Sequence, residues 1–334
     1  MKAAVFRAFG QPLVLETLPD PTPGAGEIVV RVGRCGICGS DLHMTHEPDF
    51  GTVPGSVLGH EFAGEVVALG RGAEGFAVGD RVVVEPVRGC GHCPACLAGK
   101  PSWCKAMTLQ GGGYAEYTTT TPRQCFKMPA TTTLADGALV EPLAVALHGV
   151  MLSGLVPGAR VLVMGAGPIG LGAAFWAKRL GAAKVAVADL TTLQQDLAYR
   201  LGATGFVTVE EDAVGRVQRA LGGPPDIVLE CVGRPGILAQ ALEHVAPHGT
   251  IVMLGLCTAL DSFVPFRAVT KEVRIQTAAF YTMQEFQATL DALDGGLQPP
   301  TAMITETVSL DAMPEAFEAL RKRTRQCKVM VEPG

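Results

Sequence analysis

Four closely spaced cysteines carry the strongest chemical signal in the chain. They are Cys90, Cys93, Cys96 and Cys104, and their spacing is C-x2-C-x2-C-x7-C on a stretch rich in glycine and proline. Four thiolates on one loop can close a tetrahedron around Zn²⁺ and leave no position for a substrate. We therefore predict a structural zinc ion that holds a lobe without a core of its own. An iron–sulfur cluster and four unrelated thiols are the alternatives.

A second set of metal-binding residue types is scattered along the first half of the chain. It comprises Cys38, His60 and Glu141. One thiolate, one imidazole and one carboxylate suit a zinc ion that keeps a position open for water or substrate. Spacing alone leaves two alternatives open. His60 and Glu61 can form an ordinary turn, and Cys35 with Cys38 can be a redox couple.

A glycine-rich loop predicts a dinucleotide site. The loop residues that carry this prediction are Gly165, Gly167, Pro168, Ile169 and Gly170. They follow an apolar strand and open a helix, where glycines let the backbone approach a pyrophosphate. Asp189 ends the next predicted strand, 24 residues after Gly165. A carboxylate there accepts hydrogen bonds from ribose hydroxyls and repels a 2′-phosphate, which favours NAD over NADP. The alternative is a glycine-rich turn that binds nothing.

The elements that must position these residues fall into two patterns. Short β-branched runs separated by Gly and Pro indicate an irregular β region, with strands at 27–32, 64–68, 81–84 and 114–120. Later, apolar strands alternate with helical stretches. The predicted strands are 160–164, 184–188, 226–230, 250–254 and 273–276, and the predicted helices are 168–180, 192–201, 213–221 and 235–245. Such alternation predicts a parallel sheet covered on both faces.

The end of the chain predicts a discontinuous domain. Helices at 283–293 and 314–322 precede a last strand at 328–331, which needs partners that the N-terminal β region can supply. We predict one domain from residues 1–142 plus 282–334 and a dinucleotide-binding domain from residues 143–281.

Composition excludes several function classes. The 334 residues are 48% hydrophobic and carry a formal net charge of −5 without long runs of either sign, which argues against a nucleic-acid or membrane surface. Residues 161–177 are uncharged, but their glycines predict a turn-bearing core segment rather than a membrane span. The N-terminus lacks the features of a secretion signal, and ten cysteines then indicate a reducing compartment. We expect a cytoplasmic protein.

The ordered motifs resemble the zinc-containing medium-chain dehydrogenase/reductase family, which includes alcohol, sorbitol and threonine dehydrogenases. They run in the order C-G-I-C-G-S-D-L-H, G-H-E-F-A-G, G-D-R-V, the four-cysteine loop, G-G-Y-A-E-Y, E-P-L and G-A-G-P-I-G, over essentially the whole chain. The resemblance implies an α/β fold, with a GroES-like β-rich catalytic domain and an inserted Rossmann domain that has a doubly wound parallel sheet. It also implies two zinc ions per chain and a homodimer or homotetramer.

The resemblance further implies individual roles. Cys38 and His60 match catalytic zinc ligands, and either Glu61 or Glu141 matches a further ligand. Asp41 resembles the acid that hydrogen-bonds the zinc-bound imidazole. The matching proton relay comprises Ser40 and His43. A zinc ion lowers the pKa of a substrate hydroxyl, and the nicotinamide accepts hydride from the same carbon.

Two departures from the family pattern bear on the substrate. Phe280 stands where polyol dehydrogenases carry an arginine that contacts sugar hydroxyls, and only six residues separate Cys104 from Gly111. We therefore predict an NAD(H) alcohol dehydrogenase or ketone reductase for a bulky apolar secondary alcohol. A polyol or threonine dehydrogenase, and a non-catalytic nucleotide-binding redox sensor, are the alternatives. By position alone, three further residues are apolar pocket candidates: Trp103, Met107 and Tyr114.

Overall fold

The chain divides into two compact units. The computed structural model describes residues 1–294, 300–322 and 325–334. Unit one comprises Met1–Glu141 and Thr282–Gly334, and unit two comprises Pro142–Tyr281. The chain therefore enters unit one, leaves it for unit two, and returns.

The strands of the described residues are numbered in chain order. They are β1 (Lys2–Val5), β2 (Val14–Thr17), β3 (Ile28–Gly36), β4 (Glu61–Leu69), β5 (Arg81–Val84), β6 (Val87–Arg88), β7 (Thr108–Leu109), β8 (Tyr117–Thr120), β9 (Cys125–Lys127), β10 (Arg160–Met164), β11 (Lys184–Asp189), β12 (Gly205–Thr208), β13 (Ile227–Glu230), β14 (Thr250–Met253), β15 (Arg274–Thr277), β16 (Ile304–Ser309) and β17 (Lys328–Glu332).

The α-helices of the described residues are numbered in the same way. They are α1 (Gly39–Met44), α2 (Pro94–Leu97), α3 (Leu134–Leu152), α4 (Pro168–Arg179), α5 (Gln195–Arg200), α6 (Ala213–Leu221), α7 (Ile237–His244), α8 (Pro265–Val269), α9 (Met283–Asp294) and α10 (Met313–Ala319). Short 3₁₀ turns cover Pro48–Phe50, Pro101–Trp103, Pro122–Gln124, Pro300–Met303 and Leu320–Lys322.

Unit one is built on a mixed sheet that joins both ends of the chain. Its strand order is β16-β17-β3-β4-β5-β9, and β8 pairs with β3. The long strands β3 and β4 pair antiparallel with two register shifts, which bend the strands. Phe6, Phe62 and Phe317 belong to its apolar core, so that the start and the end of the chain share one cluster. The C-terminal strand β17 pairs antiparallel with β3 beside Gly36.

Unit two is a six-stranded parallel sheet. Its order is β12-β11-β10-β13-β14-β15, and the central strands β10, β11 and β13 are almost wholly buried, as expected for a sheet covered on both faces. The chain moves outward in opposite directions from β10, so the switch in strand order lies between β10 and β13. Open parallel sheets bind their ligands at the carboxyl ends of the strands beside such a switch.

The predicted α/β fold class is confirmed, with differences in detail. Helix α3 was not predicted, because Gly137 and Pro142 interrupt its sequence and its apolar residues run all round it. Strands β2, β12 and β16 were also missed, because each has few buried apolar residues. Helix α3 is long and apolar enough to cross a membrane by length and composition, but most of it is buried inside the fold. That burial is typical of a core helix.

Candidate functional site

The ligand atoms of three predicted zinc-binding residues lie together in unit one. The thiol of Cys38, a ring nitrogen of His60 and a carboxylate oxygen of Glu61 all lie within 4.8 Å of one another. Cys38 directly precedes α1, and the other two residues are buried at the start of β4. One thiolate, one imidazole and one carboxylate are a donor set that zinc accepts. The residues therefore fit a zinc ion.

A buried carboxylate fixes the imidazole of His60. Oδ1 of Asp41 lies 3.2 Å from Nδ1 of His60, and Oδ2 accepts a hydrogen bond of 2.5 Å from the hydroxyl of Tyr114. The backbone N–H of Cys38 also donates to Oδ2, at 3.3 Å. Because Asp41 occupies Nδ1, Nε2 of His60 is the nitrogen left to face a metal ion.

The electrostatics of this group favour a cation. Burial lowers the pKa of His60, but the charges of Asp41 and Cys38 outweigh burial and raise it well above its ordinary value. For Asp41, burial raises the pKa, yet the charge of His60 and the hydrogen bond from Tyr114 prevail and hold it below its ordinary value. A position that stabilises a proton this strongly also stabilises a metal ion in its place.

The carboxylate of Glu61 is held by a buried lysine. Nζ of Lys328 lies 2.7 and 2.6 Å from the two oxygens of Glu61 and donates to the carbonyl oxygen of Ile37 at 3.2 Å. Burial lowers the pKa of Lys328, but the charge of Glu61 outweighs it, and the pKa is raised. Gly36 makes the arrangement possible, because a Cβ there would collide with the carboxylate of Glu61. The metal-binding group therefore has a fixed positive charge behind it.

Glu141 lies near this group but outside it. Among the residues that the structure describes, the set of ligand atoms within 4.8 Å comprises Cys38, His60 and Glu61 only. Glu141 is buried in α3, and its charge adds to that of Glu61 in raising the pKa of Lys328 against the effect of burial. The geometry thus favours Glu61 by proximity, although Lys328 already engages both of its oxygens.

The two predicted relay residues share helix α1. The hydroxyl of Ser40 donates to the thiol of Cys38 at 3.2 Å, so it lies directly beside the metal-binding group. His43 is three residues further along, on the same side of the helix, and its side chain is half-exposed. Its Nδ1 lies 2.6 Å from a carboxylate oxygen of Glu47.

The four cysteines of the loop also come together. The ligand atoms of Cys90, Cys93, Cys96 and Cys104 lie within 4.8 Å of one another. Backbone N–H groups of His92 and Cys93 lower the pKa of Cys90 to about 6. Backbone N–H groups of Cys90 and Ala106 donate to the sulfur of Cys104 and lower its pKa as well. A backbone N–H lowers the pKa of Cys96, but burial and hydrogen bonds with the neighbouring cysteines outweigh it and raise this pKa to about 11. Four convergent sulfurs fit a structural zinc ion, and all ten cysteines of the chain are free thiols.

Cys35 does not behave as a redox partner. Its side chain is fully buried, its thiol donates to the carbonyl oxygen of Gly36 at 3.5 Å, and burial raises its pKa well above the ordinary value. A buried thiol with a raised pKa is inert.

The glycine-rich loop joins β10 to α4 at the switch in strand order. Gly165 has φ +96°, and a Cβ on Gly170 would collide with the carbonyl oxygen of Gly165. Gly167 precedes α4, which begins with Pro168 and Ile169. Proline has no backbone N–H, and it is tolerated at the first helical position because an N–H there would have no partner within the helix. The free amides and the positive end of α4 fit a pyrophosphate.

Asp189 lies at the end of β11, beside this loop. Its Oδ2 accepts a hydrogen bond of 2.7 Å from the backbone N–H of Ala166, and its Oδ1 accepts one of 2.7 Å from that of Leu190. The carboxylate is therefore fixed at the position from which it can accept ribose hydroxyls and repel a phosphate.

The apolar pocket candidates separate in the structure. Phe280 is half-buried just after β15, at the carboxyl end of the parallel sheet, and has φ +56°. This is an uncommon backbone conformation for a bulky residue. Trp103 is 51% exposed on the four-cysteine loop, and Met107 is half-buried. Tyr114 is fully buried and donates a hydrogen bond to Asp41. Its assignment to the substrate pocket was therefore wrong.

Sequence reasoning missed two residues of the site. Lys328 reaches the metal-binding group although it lies 267 residues after Glu61 in the sequence. Tyr114 lies 54 residues after His60. A lysine within an otherwise apolar terminal strand was the available signal, because a buried lysine needs a carboxylate partner. Tyr114 sits in the motif G-G-Y-A-E-Y, but nothing in its neighbours indicates a partner.

Two family models match the chain. The model of the alcohol dehydrogenase GroES-like domain matches residues 24–130, and the model of the zinc-binding dehydrogenase matches residues 168–295. Sorbitol dehydrogenase of Bacillus subtilis (strain 168) is 32% identical and aligns with 100% of this chain and 98% of its own. (R,R)-butanediol dehydrogenase of the same organism is 33% identical over 96% of each chain.

Solved structures show the same fold. A structure from Escherichia coli CFT073, described as a short chain alcohol dehydrogenase in complex with NADH, matches with TM-score 0.91 and 29% identity over 100% of this chain and 99% of the other. A zinc-binding dehydrogenase of Sinorhizobium meliloti 1021 bound to NADP matches with TM-score 0.91 and 32% identity over 99% of each.

Proposed function

The chain belongs to the zinc-containing medium-chain dehydrogenase/reductase family, and on that premise we propose that it oxidises an apolar secondary alcohol with NAD, or reduces the ketone. Family membership makes it an oxidoreductase that acts on CH–OH groups of small molecules. The hydride leaves the carbinol carbon for the nicotinamide, and the hydroxyl proton leaves for water. Unit one carries the metal chemistry and unit two binds the dinucleotide.

The convergence of Cys38, His60 and Glu61 within 4.8 Å carries this proposal. These residues would hold the catalytic zinc, with Glu141 as the residue that can replace Glu61. When bound, zinc acidifies the hydroxyl of the substrate. Asp41 keeps the imidazole of His60 in the tautomer that binds metal.

The proton leaves through side chains of α1. Ser40 stands beside Cys38, where its Oγ would accept the proton of the substrate hydroxyl and pass it on toward His43. His43 receives it at the half-exposed end of the relay. A histidine suits this position because its charge changes near working pH.

The cofactor would be NAD rather than NADP. The fixed carboxylate of Asp189 supports this preference, since a 2′-phosphate would meet a negative charge. The residues that follow Asp189 include Thr191 and Thr192, which cannot neutralise a phosphate. Related structures hold NADH or NADP, so both cofactors belong in the assay.

The substrate would be apolar because Phe280 offers no hydrogen bond to a hydroxyl. Each buried hydroxyl without a partner costs about 1–3 kcal/mol. A polyol is the second candidate, since sorbitol dehydrogenase is a relative over the whole chain. A panel of secondary alcohols, ketones and polyols with NAD and with NADP tests both. Apolar alcohols with NAD should give the highest kcat/KM, and a large preference for sorbitol would reject this substrate class.

The alternative of a non-catalytic redox sensor has no support in the structure, because Cys35 is a buried thiol with a raised pKa and the family acts on CH–OH groups. Two zinc ions per chain by metal analysis, together with NAD reduction by an alcohol of the panel, are the expected results.

We also propose a homodimer or homotetramer formed through the edge of unit two. Strand β15 ends the sheet, with no further strand beside it among the described residues. Nearby α8 exposes Phe266 by 72% and Val269 by 68%. A second copy would cover this apolar edge. Light scattering of the native protein should give a mass that is a multiple of 34.8 kDa. The substitution Phe266→Asp should lower this mass. If the variant keeps the native mass, the interface lies elsewhere.

The expected cytoplasmic location is a proposal of the same kind. Ten free thiols, five of them in metal-binding arrangements, are suited to a reducing compartment. Cell fractionation with an antibody against the chain tests it.

A further inference from the structure

The histidine at the end of the relay is paired with the carboxylate of Glu47. Nδ1 of His43 lies 2.6 Å from Oε1 of Glu47. The backbone N–H of Glu47 also donates to the carbonyl oxygen of His43 at 2.8 Å. The ring of Phe50 lies beside the imidazole, with 6.1 Å between the ring centroids and a 30° angle between the ring planes. The imidazole is therefore held from two directions at the end of α1.

The local sequence dictates this pairing. Helix α1 ends at Met44, and Glu47 is extended (φ −107°, ψ 111°) because it precedes Pro48. The turn Pro48–Phe50 then brings the chain around to Gly51, which has φ +70°. This geometry folds the carboxylate of Glu47 back over the helix and carries Phe50 to the imidazole.

A carboxylate can only accept a hydrogen bond, which determines the tautomer of the imidazole. Nδ1 of His43 must carry the hydrogen that Glu47 accepts, so Nε2 keeps its lone pair. We infer that Glu47 is a positioning residue of the proton relay: it presents Nε2 of His43 as the proton acceptor and balances the charge that His43 gains. This inference rests on the relay of the proposed function. The proton goes from the substrate hydroxyl through Ser40 to Nε2 and then to water.

The tautomer can be read directly by solid-state ¹⁵N NMR of histidine-labelled protein. His43→Asn identifies the His43 signals by their loss. We expect Nδ1–H and unprotonated Nε2 for the neutral His43 of the native chain. Glu47→Ala should shift this population toward Nε2–H, and Asp49→Asn should not. Asp49 is an exposed acid two residues away and is a matched control. Native His43 in the Nε2–H form would overturn the inference.

Kinetics provide the second readout. Because the pair is half-exposed, Glu47→Ala should lower kcat/KM by about two- to fivefold, with KM for NAD unchanged, and His43→Asn by more than tenfold. Glu47→Gln should fall between native and Glu47→Ala, because its amide oxygen still accepts from Nδ1. In the His43→Asn background, Glu47→Ala should have no additional effect.

The outcomes separate the two proposals. If His43→Asn leaves kcat/KM unchanged, the relay is wrong and the inference fails with it. If His43→Asn is damaging while Glu47→Ala is not, or if the two losses multiply, the relay stands and the role of Glu47 is wrong.

Discussion

The two metal-binding regions of unit one are built in opposite ways. The four-cysteine loop takes all its ligands from 15 consecutive positions, 90–104, and the nearby backbone amides of Cys90 and Ala106 donate to the sulfur of Cys104. The group of Cys38, His60 and Glu61 draws its support from Tyr114 and from Lys328 at the other end of the chain. One region is a local chelate, and the other exists only once the sheet of unit one has formed.

This difference separates stability from chemistry. A closed set of four thiolates can hold its own segment but offers no place for a substrate. The assembled group mixes ligand types and is set between a buried carboxylate and a buried ammonium. The charges that surround it come from Asp41 and Lys328, which are not ligands. Substitutions in the assembled group should therefore reduce turnover, whereas substitutions in the four-cysteine loop should reduce stability.

Removing a ligand of the assembled group should abolish turnover and leave the fold intact. For Cys38→Ala and His60→Ala we expect kcat to fall by at least about 10³-fold, because acidification of the hydroxyl by the metal is lost. NADH binding, followed by fluorescence titration, should persist because the predicted dinucleotide site lies in unit two. Cys257→Ala, at a half-buried thiol of unit two, should be as active as the native protein. Substantial activity in either variant would reject the metal assignment.

Removing a ligand of the local chelate should destabilise the protein first. For Cys93→Ser we expect one zinc ion per chain instead of two and a Tm lower by about 10 °C, since a structural metal contributes several kcal/mol to folding. Metal analysis and thermal unfolding measure both. Activity below the new Tm should remain within a few-fold of native. A protein that loses its turnover but keeps its Tm would reverse the roles of the two regions.

Breaking the buried ion pair tests the support behind the assembled group. Lys328→Met leaves the carboxylate of Glu61 buried without its partner, which should lower the free energy of unfolding by about 3–5 kcal/mol. Denaturant unfolding measures it. Lys2→Met removes an exposed lysine that pairs with Asp311 in the same unit, and we expect no measurable change there. Equal stability of the two variants would mean that the pair contributes nothing.

The sequence could predict the local region far better than the assembled one. The fixed spacing of the four cysteines identifies the chelate without knowledge of the fold. The dinucleotide loop is identified by its glycines, by the apolar strand before it and by Asp189. Glu61 and Glu141 could not be ranked, because their ranking depends on Lys328, which pairing of β17 with β3 brings to Glu61. Tyr114 was assigned to the pocket because position in a motif gives no direction for a side chain. Non-local pairing is the information that a single sequence lacks.

Glu85 borders the four-cysteine loop and feels the charge of Glu141, which lies near the assembled group, so a pH experiment on Glu85 tests the comparison. It lines a cavity of about 550 Å³ together with Cys90 and Cys96. Burial, with a contribution from the charge of Glu141, raises its pKa from 4.5 to about 8. The folded chain therefore keeps this proton up to about pH 8, whereas the unfolded chain loses it near pH 4.5.

The stability that Glu85 contributes is complete below its unfolded pKa and declines as the pH rises toward 8, because only the unfolded chain releases the proton in that window. Glu85→Gln removes this release. Relative to the native chain, we expect the variant to gain on the order of 3 kcal/mol between pH 5 and pH 8, measured by denaturant unfolding. Glu74→Gln, at an exposed acid that lines the same cavity, should show no such pH dependence.

If zinc at the assembled group neutralises Glu141, the gain should be larger in metal-free protein, because the unscreened charge of Glu141 then keeps the pKa of Glu85 high. Equal gains with and without metal would show that burial alone sets this pKa and that the two regions are electrostatically independent.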